Sequence, residues 1–588
     1  MHPVMKDYIA RFTREKPRQW DYFFTQLAPG ELQKLPYINQ VEKFCRRVAT
    51  ALEKDERICI YSDYDTDAVT ATATMYWGLL SLGAKSENLD FYAPDRFTEG
   101  YGMNVEAAGK LAEEYDLLIT VDCGINSREE ARVVAAKGAD LLITDHHALV
   151  GDLPACVAVV NCRLNALPSS LPADNEFGLD TSILTLLPDS ITGVGVAWFA
   201  LVWLGYYLRD VRGQAVEMNG LNVLLPYVGI GTIADCQSII EPINRLLVKT
   251  ALSILEKPFV HLGLEELTKQ TGLREKTSQG YRLTSQDFGF TYAPILNASG
   301  RIAHASLSIG TLVAKTPEEA RTKARELIGV NQDRKSLVKS ILEEVETQAK
   351  AQEEAPFIWL VGEWNKGIIG LLASRLVNQY DKPVLVMSRE GESVSASLRA
   401  PEGYNLPRTM SRFADLFTKA GGHPGAAGFG ARVENLDRIK AGFEEYLHVE
   451  SKSDARLELR PEERLLPLTL QTQVPHRSRI VLEGFGVSPE LMTSVLAIDP
   501  YGQDFPYPEF VFRVVEFETR FMGKELNHAK LTTPTGTVTM FYLTPELKRY
   551  LETNGAADQE LWVGAKVSQN TWNNRTNQEL IANNYWLV

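Results

Sequence analysis

Residues Ile58–Thr74 read ICIYSDYDTDAVTATAT. Ile58–Ser62 is mostly apolar, β-branched or aromatic and is followed at once by polar residues, which predicts a buried strand. Asp63, Asp65 and Asp67 then alternate along an extended segment, and the small residues from Ala68 predict a helix. Three carboxylates so close together repel one another, and gathering them is costly unless something cationic sits among them. A hard divalent metal ion supplies that charge. Capping the next helix would need one aspartate, not three.

Two later stretches repeat the arrangement. Leu117–Val121 (LLITV) runs into Asp122-Cys123-Gly124, and Leu141–Thr144 (LLIT) runs into Asp145-His146-His147. Ligands of open parallel α/β sheets bind beyond the carboxyl ends of the strands. Three strands ending in Asp or Asp-His-His would therefore bring their side chains to one rim. Asp235, in Gly229–Asp235 (GIGTIAD), follows an apolar segment and offers a further carboxylate.

The net charge of −14 argues against a protein that holds nucleic acid by its overall charge, because phosphate contacts need Lys and Arg. Part of that charge is the gathered aspartates, which bound cations would neutralise, and local grooves decide backbone contacts. A length of 588 residues suggests about four domains at roughly 150 residues each. No apolar run approaches a membrane span and the first twenty residues lack a signal-type core, so a cytoplasmic protein with no membrane attachment is expected. The six cysteines contain no CxxC pair, which predicts reduced thiols in place of a zinc site or a disulfide frame.

Taken in order, residues 1–50 predict a helical segment with aromatics at Trp20, Tyr22, Phe23 and Phe24, packed on the first domain. Residues 51–310 alternate strand and helix as one α/β domain, with Asn165–Ser190 as a long surface loop. Gly193–Ala197 (GVGVA) resembles a dinucleotide fingerprint but lacks the preceding strand and the following acidic residue, so helix–helix packing is the better reading. Residues 311–355 form a bridging helix, with Thr316 as N-cap, Pro317 at the first position and Glu319 at the third. A second α/β domain spans 356–450 and ends in the glycine-rich turn GGHPGAAGFG. Residues 451–588 break into short alternating strands, FVFRVVEFETR, HAKLTTPTG, TVTMFYL and LWVGAKV, which suggest a small β-barrel.

DYDTD, VDCG, DHH and GTIAD, in this order, resemble the four motifs of the DHH phosphoesterase superfamily. PDRFTEGYG, TGVGVA, LNASGR, SASLR, GGHPGAAG and DPYGQDFPYPEF extend the resemblance to its RecJ-like exonucleases, over nearly the whole chain beyond the first forty residues. The fold that this implies is a DHH domain and a DHH-associated domain, both α/β, joined by a long helix, with a C-terminal OB-like barrel. Asp65, Asp67, Asp122, His146 and Asp235 would hold two divalent cations, Mn²⁺ or Mg²⁺, with Asp122 bridging and Asp63 and His147 as close ligands or supports. Two departures stand out: Ala68 replaces the usual glycine and Tyr61 a frequent histidine, and neither removes a carboxylate.

By the same resemblance, Arg96, Ser397 and Arg399 would hold a 5′-terminal phosphate, and Arg301 and Gln332 would contact nucleotides near the cleavage site. His423, with the amides of Gly421 and Gly422, would orient substrate phosphate, while Asn365 stands where the family commonly has histidine. The implied activity is a 5′-to-3′ exonuclease on single-stranded DNA, working in DNA repair and recombination. Its implied partners are single-strand-binding protein or a helicase, and its implied state is a monomer. A phosphodiesterase for short oligoribonucleotides or cyclic dinucleotides shares the metal motifs, and a non-catalytic replication scaffold is the third reading. The barrel offers Phe510, Phe512, Phe541, Tyr542, Trp572 and Trp586 for base stacking. A site so remote from the chemistry would contribute binding alone, so its removal near Ser453 would spare short oligonucleotides.

Overall fold

The computed structural model describes all residues except 13–35, 101, 165–185, 449–465, 467–469, 471–477, 483–485, 535, 554–558 and 573–574. The aromatics at 20–24, most of the expected loop at 165–190 and the boundary near Ser453 lie outside the described residues. The chain divides into two compact units: Met1–Pro294 with Ser308–Arg325 and Leu459–Val588, and Ile295–Leu307 with Glu326–Glu458. Among the described residues no helix is long and apolar enough to cross a membrane.

The first unit is built on a five-stranded sheet, ordered β2-β1-β3-β4-β5, from β1 (Ile58–Tyr61), β2 (Leu89–Tyr92), β3 (Leu117–Val121), β4 (Asp140–Asp145) and β5 (Ala158–Asn161). Every neighbouring pair is parallel. A parallel sheet is covered on both faces, which is why β1, β3, β4 and β5 read as mostly apolar runs without polar alternation. Cys59, Leu118, Leu141 and Ile143 share a core with α4 (Val105–Glu114) and α5 (Arg128–Ala136). On the opposite side α3 (Thr66–Ser81) packs against α6 (Gly193–Tyr206) and the helix Leu225–Ala234. The helix expected from Ala68 begins two residues earlier because Asp65 is its N-cap, accepting from Ala68 N at 3.0 Å.

The C-terminal part of this unit is a seven-stranded sheet, ordered β11-β12-β16-β17-β15-β14-β13. Its strands are β11 (Arg479–Val481), β12 (Glu509–Val514), β13 (Glu518–Met522), β14 (His528–Thr533), β15 (Gly536–Met540), β16 (Leu561–Trp572) and β17 (Arg575–Leu587). The last strand was not foreseen, since its polar run of Asn, Gln and Glu carries little strand propensity. β17 forms because it pairs with β16 along nearly its whole length.

The N-terminal expectation needs correction. α2 (Val41–Glu53) does pack on the first domain, against α6 and β5, whereas α1 (Pro3–Phe12) is held by the C-terminal region. Tyr8 of α1 packs its ring on Phe505 at 5.8 Å and donates to Pro506 O at 2.7 Å, and Arg11 donates to Arg479 O at 2.7 Å. The apolar stripe Met5, Tyr8 and Ile9 is thus buried by the C-terminal region. Residues 295–307, expected in the first domain, fall in the second unit.

The second unit has a mixed sheet, β6-β7-β8-β10-β9. It comprises β6 (Ile358–Gly362), β7 (Val384–Glu390), β8 (Ser393–Arg399), β9 (Phe417–His423) and β10 (Ala426–Arg432). Only β6 and β7 are parallel, joined through helix Ile369–Tyr380. The glycine-rich stretch is more than a turn: it holds the end of the edge strand β9, a tight connection and β10, paired antiparallel from His423–Ala426 outward. Helix Pro317–Lys350 realises the expected long helix, with Thr316 Oγ1 accepting from Glu319 N at 3.2 Å.

Candidate metal centre

The carboxyl ends of β1, β3 and β4 deliver the predicted residues to one rim. Asp122 follows β3 in the left-handed region, φ +58°, a conformation that is uncommon without glycine and that turns its side chain out of the strand register. His146 Nε2 lies 3.1 Å from Asp122 Oδ1, 3.7 Å from Asp235 Oδ2 and 3.8 Å from Asp67 Oδ2. Two ligands at right angles on one ion, with bonds of about 2.1 Å, stand about 3 Å apart, so these separations suit ligands sharing a cation. Among the described residues, two triads come close enough to hold an ion: Asp122, His146 and His147, and Asp67, His146 and Asp235.

The charge state of the site points the same way. Burial pushes the carboxyls of Asp63, Asp67 and Asp122 well above the usual range, and neighbouring aspartates push them further. Burial also raises Asp65, partly offset by the Ala68 amide. Asp63 Oδ1, Asp122 Oδ1 and His146 Nδ1 are buried without a hydrogen-bond partner. Buried polar atoms are seldom left in this state unless something further binds them. The donor set of carboxylates and imidazole fits hard divalent cations such as Mn²⁺ or Mg²⁺.

Three supporting features escaped sequence reasoning. Asp145 was noted only as the first letter of a motif, yet it orients the histidines. Its carboxylate accepts from His147 Nδ1 at 2.8 Å and from the amides of His146, His147 and Ile125. Burial alone would raise its pKa, but the bonds from His147 and these amides prevail and hold it below the ordinary value. Reciprocally, burial works against a charged His147, and Asp145 outweighs it and raises His147. With Nδ1 committed, that ring offers Nε2 to a metal, the usual carboxylate–histidine–metal arrangement.

The second feature is the start of α6. Asp67 accepts from Gly193 N at 2.7 Å and Val194 N at 3.0 Å, so GVGVA packs as a helix and also presents its N-terminal amides to a carboxylate. A Cβ on Gly193 would lie 2.4 Å from Asp122 Oδ1, so only glycine admits the helix so close. The third is Asn161 at the end of β5, which donates to His147 O at 3.0 Å, while Arg163 Nε donates to His146 O at 2.6 Å. The available signal was the position of Asn161 at a fourth strand end. Tyr61 is core: its ring lies 5.3 Å from that of Tyr92 and its hydroxyl donates to Gly102 O.

Arg96 belongs to the first unit, its guanidinium 4.7 Å from the centre of the Tyr64 ring, and its charge partly offsets the rise of Asp63. In the second unit, Arg399 Nη1 donates to Ser397 Oγ at 3.3 Å and to Leu398 O at 2.7 Å. Burial lowers the Arg399 pKa. The first turn of helix Ile369–Tyr380 stands beside both, since a Cβ on Gly370 would lie 3.1 Å from Ser397 Oγ and 3.5 Å from Arg399 Nη2. Arg301 Nη1 donates to Gly367 O at 3.3 Å. Gln332 is exposed on the long helix and His423 on the edge strand β9. Asn365 caps its own turn by accepting from Gly367 N at 2.8 Å.

The C-terminal aromatics separate cleanly. Phe510 and Phe512 are fully buried core, whereas Phe541 and Tyr542 are 48% and 80% exposed, each with its ring edge-on to His528. Trp586 is half-buried with Arg479 over its ring, and the side chain of Trp572 lies outside the described residues.

Comparison with known proteins agrees with this geometry. Residues 57–195 match the DHH family, N-terminal domain, 355–449 the DHHA1 domain and 481–584 the RecJ OB domain. The single-stranded-DNA-specific exonuclease RecJ of Bacillus subtilis is 29% identical over 541 residues, 91% of this chain and 62% of that one. The Escherichia coli exonuclease of the same name is 28% identical over 83% of this chain and 80% of its own. This chain thus spans about three-fifths of the first relative and four-fifths of the second. A crystal structure of exonuclease RecJ bound to manganese superposes with a TM-score of 0.55 at 27% identity, covering 70% of this chain and 94% of that one. RecJ from Thermus thermophilus shares the fold at a TM-score of 0.70 and 24% identity, over 97% of this chain and 75% of its own. The chain belongs to the DHH phosphoesterase superfamily, in its RecJ-like branch.

Proposed function

We propose that this chain is a metal-dependent exonuclease that hydrolyses the phosphodiester bonds of single-stranded DNA from the 5′ end. The observation that carries the reading is the set of buried, mutually repelling carboxylates around His146, which needs divalent cations to be balanced. Asp65, Asp67, Asp122, His146 and Asp235 would hold two such cations, with Asp63 and His147 supporting them. Bound there, Mn²⁺ or Mg²⁺ supplies an activated water and stabilises the charge that develops at phosphorus and the leaving oxygen.

The chain's own groups do the positioning. Asp145 keeps the His147 ring in one orientation, and the α6 amides keep Asp67 aimed at the rim. In the second unit, Ser397, Arg399 and the adjoining helix start offer a hydroxyl, a guanidinium and backbone amides, a set that suits a terminal phosphate dianion. Arg96 is proposed as a further phosphate contact within the first unit, and Arg301, Gln332 and His423 as contacts to the strand. Phe541 and Tyr542 give the C-terminal sheet exposed faces on which bases can stack.

A single-strand substrate has to be released from duplex and kept open, so single-strand-binding protein or a helicase completes the proposal. The chain would act as a monomer in the cytoplasm. Single strands labelled at either end and bearing 5′-phosphate or 5′-hydroxyl, incubated with Mn²⁺, test the reading. Mononucleotides released progressively from the 5′ end are expected, faster from the phosphorylated strand and abolished by a chelator. Release from the 3′ end, or cleavage confined to dinucleotides, would refute it.

A further inference from the structure

Asp235 is held differently from three other carboxylates of the rim. Asp65, Asp67 and Asp145 accept backbone N–H bonds, whereas Asp235 accepts from the side chain of Gln237, at 2.7 Å, and is 31% exposed. It stands at the C-terminal end of helix Leu225–Ala234, where the carbonyl ends of the helix disfavour a negative charge. Its position therefore depends on the loop that follows.

That loop is gripped from two sides. Its start continues the helix, with Asp235 N donating to Gly231 O and Gln237 N to Thr232 O, and Cys236 takes a left-handed φ of +53°. Its far side pairs with the DPYG stretch: Ser238 forms a parallel bridge with Gln503, and Ile239 N donates to Gln503 O at 3.0 Å. Gly502 lies so close that a Cβ there would stand 2.9 Å from Ile239 Cγ1. The turn carrying Gly502 is itself fixed. Gly502 and Phe505 bond to each other through their backbones. The Asp499 carboxylate accepts from Ser285 N at 2.9 Å and Ser285 Oγ at 3.1 Å. Tyr501 N donates to Ser285 Oγ, and the buried Arg245 Nη1 donates to Pro500 O at 2.7 Å.

We propose that the Asp499–Gln503 turn is a positioning element for Asp235, bracing its loop so that the carboxylate stays within reach of a metal. The proposal rests on the assignment of Asp235 as a ligand given above. It gives the C-terminal region a part in the chemistry through the Ser238–Ile239 loop, in addition to any part in strand binding. It also reverses the expectation that losing this region spares short oligonucleotides, because the brace would leave with it.

The test is Mn²⁺ titration calorimetry on the full chain, with metal-free thermal unfolding recorded alongside. Gly502→Ala should force the loop outward and weaken one Mn²⁺ site by about tenfold or more, as loss of ligand-supporting contacts generally does. Adding Ile239→Ala, which removes Cγ1, should restore binding, and Gly502→Ala should add no further loss to Asp235→Asn. Ile239→Ala alone loosens the contact without a clash and should weaken the same site, which keeps the test open if Gly502→Ala melts too early to titrate. Wild-type Mn²⁺ binding by Gly502→Ala, or by Ile239→Ala where the former cannot be titrated, overturns the proposal if Asp235→Asn loses a site. Wild-type binding by Asp235→Asn overturns the ligand assignment, and the proposal with it.

Discussion

The two α/β sheets collect opposite charges by opposite constructions. The first is wholly parallel, so its strand ends all face one way, and six aspartates and two histidines gather there from separate parts of the chain. The second is mostly antiparallel, and its basic and hydroxyl groups, Arg399 and Ser397, alternate within one strand beside a helix start. A parallel edge can concentrate repelling charges because a cation can enter beyond the strand ends. An antiparallel strand spaces its groups two residues apart on one face, which suits recognition of a ligand that brings its own charge.

The sharpest way to break this comparison is Asp122→Ala. Hydrolysis should fall at least about a thousandfold, the scale on which metal catalysis stabilises charge in the transition state. The fold should survive, because removing one crowded carboxylate relieves repulsion. Single-turnover rates with saturating Mn²⁺, alongside circular dichroism, decide it, and retention of a tenth of the activity would mean the acidic rim is not the reaction centre.

Arg399→Ala probes the other sheet. Loss of a charge-assisted bond costs about 1.5–3 kcal/mol, roughly 10–100-fold. The deficit should appear on 5′-phosphorylated strands and be small on 5′-hydroxyl strands. Equal deficits on both would reduce the second sheet to a general backbone contact.

A smaller effect asks whether a third surface joins them. Tyr542→Ala should raise KM for long single strands by about fivefold, the lower end of stacking on one base, and leave short oligonucleotides unchanged. No change in KM for long strands would remove the exposed ring from the substrate path.

The smallest effect separates buried carboxylates that serve chemistry from one that serves the fold. Burial pushes Asp499 up to about 7, only partly offset by its bonds from Ser285 and by Arg245. Its folded value exceeds its unfolded one, so its protonated form favours folding, and that contribution is lost as pH rises from the unfolded carboxyl range towards about 7. Melting temperatures of Asp499→Asn and the parent chain, measured from about pH 4 to 8, should draw together at the acid end, where the unfolded carboxyl itself protonates. They should separate in the variant's favour towards neutrality. Parallel curves would refute the assignment.

Much of the acidic rim was legible because its signal is local: an apolar run that ends in Asp occurs three times, at Asp63, Asp122 and Asp145. Asp145 was misjudged for the same reason, since its neighbours look like the ligands while its role is to hold one of them. The contribution of Gly193 and Val194 was hidden because it depends on a helix arriving from beyond residue 190. α1 was misplaced because an amphipathic stripe shows that a helix is buried but not against what. β17 was missed because its partner, not its composition, makes it a strand. Long-range pairing is what a linear reading sees least.

The docking of α1 has a consequence for how the chain is made. Tyr8 bonds to Pro506, 498 residues later, so α1 leaves the ribosome long before the surface that shelters it exists. At about 5–20 residues per second, that interval is roughly half a minute to a minute and a half. Throughout it, Met5, Tyr8 and Ile9 have no native surface to cover them, which makes the nascent α1 segment a natural binding site for chaperones during translation.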